Sequence, residues 1–237
     1  MTPTFVVPDV HGAYDRMGQL LERSGIIDAI GRRTNHDVRV VQLGDLCNCV
    51  FDSIEDDLRC LDRVEDWIDV YLVGNHEHPY FGGPPFLGFH RNRRIDGRLR
   101  ELNGKGVIQP SIVVDGVLVT HAGISTKDGY TTADEADRDL RERWEVRPQG
   151  RPFSRIGPFR GGWDARGGPL WADWSEPKCR KFSQVVGHTP GEEPRWRGAP
   201  RHAQPFLLCL DVGGGKRGTR LVGAWLRDGA VELVDAR

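Results

Sequence analysis

The chain has 237 residues, and 33 Lys and Arg against 34 Asp and Glu leave a formal charge of −1. That balance excludes a general electrostatic pull towards nucleic acid or anionic membrane, and 38% hydrophobic with 28% charged residues excludes wholesale disorder. Five cysteines without paired CxxC spacing exclude a zinc finger or disulfide framework.

The cysteine usage predicts a reducing, cytoplasmic setting. The N-terminal MTPTFVVPDVHG has no basic region followed by an apolar core, and no run approaches a membrane span. Phe5-Val6-Val7 reads as a short buried strand ending at Pro8-Asp9. Residues 14–30 carry Met17, Leu20, Leu21, Ile26 and Ile27 on a helical stripe interrupted by Gly25. A second strand over 38–43 ends at Gly44-Asp45, a helix over about 53–67 follows, and a third strand over about 69–73 ends at Gly74-Asn75-His76. This β-α-β-α-β order leaves polar residues at each strand's carboxyl end, where open α/β sheets bind ligands.

Residues 81–106 hold Gly-Gly-Pro-Pro and six basic or imidazole side chains from His90 to Arg100, a basic insertion with weak helical character. Strands 111–114 and 117–120 meet at Asp115-Gly116, a two-residue hairpin turn. Residues 133–145 read as a charged helix, and 147–169, rich in Gly, Pro and Arg, as a long surface loop. Further strands are expected at 183–186, 206–210, 219–226 and 230–234. With no internal repeat and no linker, the expectation is one domain over 1–237.

The polar groups delivered by these strands are Asp9 and His11 (PDVHG), Asp45 (LGDL), Asn75 and His76 (VGNHE), His121 (VTHAG) and His188 (VVGHT). Glycines beside them let the backbone turn sharply and approach an ion closely. Three Asp or Asn oxygens with three His nitrogens suit a pair of borderline divalent cations, Mn²⁺ first and Fe²⁺ or Zn²⁺ next; Mg²⁺ and Ca²⁺ prefer oxygen alone. Two such metals need a bridging carboxylate, for which Asp45 is the natural choice, and would share a hydroxide for in-line attack on phosphorus. His76, beside Asn75, is then placed to protonate the leaving oxygen. Glu77 is expected to support its loop, and the tryptophans to pack in the core and under loops.

In this order, DVHG, GD, GNHE, HAG and GHT resemble the calcineurin-like metallophosphoesterases, most closely the phosphoprotein-phosphatase branch, whose bacterial members include serine/threonine phosphatases and symmetrical diadenosine tetraphosphatases. The tail CLDVGGG and LVGAWLRDGAVELV is also similar to that branch. The resemblance implies an α/β fold, a two-sheet β-sandwich flanked by helices. It implies that Asp9, His11 and Asp45 hold one metal and that Asp45, Asn75, His121 and His188 hold the other, with His76 as proton donor.

One segment departs from the family. Its GDxxDRG orients the catalytic His with a second Asp and clamps phosphate with the Arg, but here Asn48 and Cys49 stand in those places. Asn48 can still accept a hydrogen bond from His76, without the charge that would raise the imidazole pKa. Cys49 cannot replace a guanidinium. Substitutes are an arginine of 91–100 such as Arg94, Arg160 or Arg166 from the long loop, or Arg180 after Leu170-Trp171-Ala172-Asp173, the last favoured. The expected enzyme is a dinuclear phosphoesterase of the phosphomonoesterase or protein-phosphatase kind, acting on a phosphorylated small molecule, nucleotide or phosphoprotein. The alternatives are a nucleotide or nucleic-acid phosphodiesterase or diadenosine tetraphosphatase, and, from another class, a metal-holding regulatory protein with weak catalysis. Nucleic acid is not indicated by the charge, and no membrane partner is expected.

Overall fold

Alternation along the first strand sets the layers. The computed structural model describes residues 2–47, 53–198, 205–213 and 220–236. In β1 (Thr4–Val7) every residue is buried. Successive side chains of a strand face opposite ways, so Val6 joins one apolar cluster while Phe5 and Val7 join another.

The Val6 cluster fills the space between two sheets. Val41, Leu43, Val70 and Leu72 meet Ile112, Val119, Val185 and Leu208 there. The first sheet has the order β11-β10-β1-β2-β3-β4. Its members are β2 (Arg39–Gln42), β3 (Val70–Leu72), β4 (Ile108–Gln109), β10 (Val222–Arg227) and β11 (Ala230–Asp235) beside β1. Strands β1 to β4 run parallel, and β10 and β11 add antiparallel. The second sheet, β5-β6-β7-β9-β8, is built from β5 (Ser111–Val114), β6 (Val117–Thr120), β7 (Gln184–Val186), β8 (Arg195–Arg197) and β9 (Leu207–Cys209).

Helices cover the outer faces, giving the two-sheet sandwich flanked by helices that the sequence leads one to expect. From α1 (Tyr14–Arg23), α2 (Ile54–Asp62) and α4 (Arg93–Gly104), the side chains Leu20, Leu61 and Leu99 pack in the cluster containing Phe5 and Tyr71. On the second sheet, α5 (Ala133–Val146) lies against β5 and β6. Each such leucine contributes about 1.5–3 kcal/mol through removal from water. No helix among the described residues is long and apolar enough to cross a membrane.

Several boundaries differ from the periodicity. The helix expected over 14–30 stops at Arg23, because Gly25 takes φ +71°, a left-handed conformation that ends the ladder. The helix expected over 53–67 breaks at Arg63 into α2 and α3 (Val64–Trp67). The basic insertion contains a three-turn helix, α4, and much of its charge is matched by carboxylates. Arg98 pairs with Asp62, Glu65 and Glu101, and Arg91 and Arg100 both pair with Asp96.

Candidate metal centre

Five strand ends deliver the polar residues to one rim. Asp9 and His11 follow β1, Asp45 follows β2 and Asn75 follows β3, while His121 follows β6 and His188 follows β7. Backbone contacts tie these loops together. The N–H groups of Val10 and His11 donate to the Asp45 carbonyl at 3.1 and 2.8 Å, and that of Gly187 donates to the His121 carbonyl at 2.7 Å.

Among the described residues, five other than glycine have positive φ: Asp115 and Asp228 in hairpin turns, and His11 (49°), Asp45 (51°) and His188 (70°). Left-handed backbone costs an L-residue about 1–2 kcal/mol, so three strained residues on one rim mark a functional demand. Glu77 offsets part of that cost. Its buried carboxylate accepts the N–H groups of Asp45 and Gly74, both at 2.9 Å, Leu46 at 3.0 Å and Cys47 at 3.3 Å. It therefore shapes the loop carrying Asp45, as expected from the sequence.

The donor atoms form two groups, His11–Asp45–His76 and Asp45–His121–His188, with the ligand atoms in each within 4.8 Å of one another. Asp45 belongs to both. Its Oδ2 lies 3.7 Å from His11 Nε2, 3.8 Å from His76 Nε2 and 3.5 Å from His121 Nε2. Asn75 Oδ1 stands 3.0 Å from His121 Nε2 and 2.7 Å from His188 Nδ1. His121 Nδ1, 2.9 Å from the Leu43 carbonyl, must carry the ring proton, because that oxygen can only accept. His121 Nε2 therefore presents a lone pair to the Asn75 oxygen. Facing lone pairs repel unless a cation lies among them, and Asp9 Oδ1 is buried with no hydrogen-bond partner. This donor set fits divalent cations held through oxygen and imidazole nitrogen.

Electrostatics agree. Burial pushes Asp45 up to about 7, with Glu77 and Asp211 adding and His121 opposing. Burial, then Asp211 and Asp45, raise Asp9 well above the usual carboxylate range. Burial lowers His11, His121 and His188, and the Arg160 guanidinium depresses His188 further. Neutral imidazoles beside crowded carboxyls are the state in which a cation displaces protons from oxygen alone.

Asp9 falls outside both groups, on the same rim beside His188. Its Oδ2 accepts the His188 N–H at 2.8 Å and sits 3.9 Å from His121 Nδ1. Of the arginines, Arg160 reaches the centre: it donates to the Thr189 hydroxyl at 2.7 Å and the His188 carbonyl at 3.3 Å, and pairs with Asp173 at 3.1 Å. Arg94 is exposed at the start of α4 and pairs with Glu55 at 2.9 Å. Arg166 pairs with Asp128 at 3.1 Å. Arg180 lines a separate cavity that contains none of the metal-centre residues. Asn48 and Cys49 lie outside the described residues. Two participants carry no sequence expectation. Asp211, in the CLDVGGG segment, is a buried acid acting on Asp9 and Asp45. Phe86 stacks on His76. The apolar run before Asp211, ending at a polar residue and glycines, is the same signal that singles out the other strand ends. Trp163 is fully exposed rather than packed.

Comparison with known proteins agrees with this geometry. The chain is 29% identical to the Bacillus subtilis bis(5'-nucleosyl)-tetraphosphatase PrpE [asymmetrical] over 212 residues, 80% of each chain. A cold-active protein-tyrosine phosphatase from a psychrophilic Shewanella superposes with a TM-score of 0.63 at 20% identity, covering 98% of this chain and 80% of that one. A protein serine/threonine phosphatase from Saccharomyces cerevisiae gives 0.57 at 13% identity, covering 99% and 79%. The family model for calcineurin-like phosphoesterase matches residues 2–233. The chain belongs to the calcineurin-like phosphoesterase family and is a phosphoester hydrolase.

Proposed function

We propose that the protein hydrolyses a phosphate monoester at a dinuclear centre. Asp9, His11 and Asp45 would hold one cation, and Asp45, Asn75, His121 and His188 the other. The observation that carries this reading is the pair of donor groups sharing Asp45. Divalent cations bound there, Mn²⁺ being the first to test, supply Lewis acidity and an activated water.

The chain's own residues do the rest. Asp45, whose N–H donates to the Glu77 carboxylate and whose Oδ1 accepts the His76 N–H, orients the shared site. His76 Nε2, 3.8 Å from Asp45 Oδ2, is placed to give a proton to the leaving oxygen. Arg160, oriented by Asp173 and Thr189, takes the place of the family's phosphate clamp. Half-buried, it faces the phosphate with less water competing for its donors than an exposed arginine would.

A second reading, hydrolysis of a bis-nucleosyl tetraphosphate, draws its support from the activity for which the PrpE relatives are named. The test is turnover by Mn²⁺-loaded protein of p-nitrophenyl phosphate, bis-p-nitrophenyl phosphate, a phosphopeptide and diadenosine tetraphosphate, each beside Asp45→Asn. Preference for a monoester, abolished in the variant, supports the first reading. Preference for the tetraphosphate replaces it with the second, and no turnover by metal-filled protein rejects both in favour of a metal-holding binder.

A further inference from the structure

Three cations away from the metal centre line one cavity without a carboxylate in contact with any of them. Lys178, Arg180 and Arg197 line a space of about 420 Å³ together with Thr126 and Ser175. No carboxylate oxygen among the described residues lies within 4.0 Å of any of the three charges. Lys178 is buried, and its ammonium donates to the Asp173 carbonyl at 2.7 Å. An ammonium has three donors, so two remain to be satisfied. Arg197 donates to the Trp174 carbonyl at 2.6 Å and lies over the Trp174 ring at 4.5 Å, contacts that orient it without cancelling its charge. Arg180 is exposed at the mouth.

Buried charge without an ion-pair contact is costly. Burial draws Lys178 down to about 8, with the Glu176 and Asp173 carboxylates opposing it from beyond contact distance. A hydrophobic or neutral ligand would leave that cost in place, and a carboxylate would bring a single charge on two oxygens in one plane. A phosphate group presents three or more acceptor oxygens and up to about two negative charges, and a pyrophosphate carries more of both.

We propose that this cavity is an anion site for a phosphate or pyrophosphate group, held by Lys178, Arg180 and Arg197 and distinct from the metal centre. The two sites share the segment around Asp173, whose carbonyl takes Lys178 and whose carboxylate takes Arg160. The group could be free in solution or carried by a substrate with several phosphates. Only the second source rests on the nucleotide reading above.

Calorimetric titration of inorganic pyrophosphate into the metal-free full chain tests the site without depending on turnover. Saturable binding is expected, weakened roughly tenfold or more by Arg180→Ala or Arg197→Ala and unchanged by Arg94→Ala, which removes an exposed pair away from both sites. Arg180 is exposed, so that variant tests the site even where Lys178→Met does not fold. Absence of saturable binding, wild-type binding by Arg180→Ala, or binding abolished by Arg160→Ala alone would each overturn the proposal. Displacement of bound pyrophosphate by diadenosine tetraphosphate, lost in Arg180→Ala, supports the site with a substrate-borne phosphate. Pyrophosphate binding that the dinucleotide does not displace supports it with a free one.

Discussion

The ring of Phe86 stacks on the imidazole of His76, with centroids 3.9 Å apart and planes 17° from parallel. His11 meets the same imidazole edge-on at 4.7 Å. His76 is thus confined between a carboxyl-end loop and the segment that reads in the sequence as a basic insertion. Proton donation depends on where Nε2 points, and a small displacement is enough to slow it. Phe86→Ala is expected to lower turnover about tenfold on an alkyl phosphate, whose leaving oxygen needs the proton. Turnover of p-nitrophenyl phosphate should fall much less, and Phe86→Tyr should restore both. Equal losses on both substrates would make Phe86 a packing residue only.

Arg160 is oriented from two sides, by Asp173 and by Thr189. If it contacts the phosphate before reaction, Arg160→Ala raises KM on a monoester by roughly tenfold or more, since a charge-assisted contact is worth about 1.5–3 kcal/mol. Arg94→Ala, removing an exposed pair with Glu55, should leave kcat and KM within about twofold. Steady-state kinetics on both variants decide between the two arginines.

Gly187 has no room for a side chain. A Cβ there would overlap the Asp9 carboxylate, whose other oxygen accepts the His188 N–H. Gly187→Ala must move Asp9 or the β7 loop, at about 1–3 kcal/mol. Metal analysis should find less than the wild-type content with the fold retained by circular dichroism. Full metal content would show that Asp9 is not a ligand.

Metal affinity should depend on pH through the carboxyls. Burial holds Asp45 at about 7 and raises Asp9 as well. Below about pH 7 a metal-free Asp45 keeps a proton that the cation must displace. Affinity therefore rises with pH, about tenfold per unit for each proton released, and the Asp45 contribution levels off above about pH 7. His11 and His188, lowered by burial, are already neutral and add no proton to the count. Mn²⁺ titration calorimetry between pH 5.5 and 8.5, in buffers of different ionisation enthalpy, reads both quantities. A flat profile would mean that the carboxyls are ionised before metal arrives.

The rim was legible because each of its residues ends a strand that hydrophobic runs reveal locally: Val6-Val7 before Asp9, Val119-Thr120 before His121, Val185-Val186 before His188. The arginine partners were not. Arg98 and Arg91 look like a basic face in one dimension, and only the placement of α4 beside Asp62 of α2 and Glu65 of α3, with Asp96 in its own first turn, brings these carboxylates to them. Phe86 sits in a Gly-Pro segment without periodicity, so nothing local announces that its ring meets His76. The short edge strands β4 and β8, two and three residues long, lack enough alternation to be read.

His76 is proposed to move a proton and not to hold the metal, although its Nε2 falls within reach of His11 and Asp45. Metal content and turnover of His76→Ala, measured on the same preparation, test it most directly. Two metal equivalents with turnover reduced about 10²–10⁴-fold is the predicted result. Loss of one equivalent would make His76 a ligand, and wild-type turnover with both equivalents retained would remove it from the chemistry altogether.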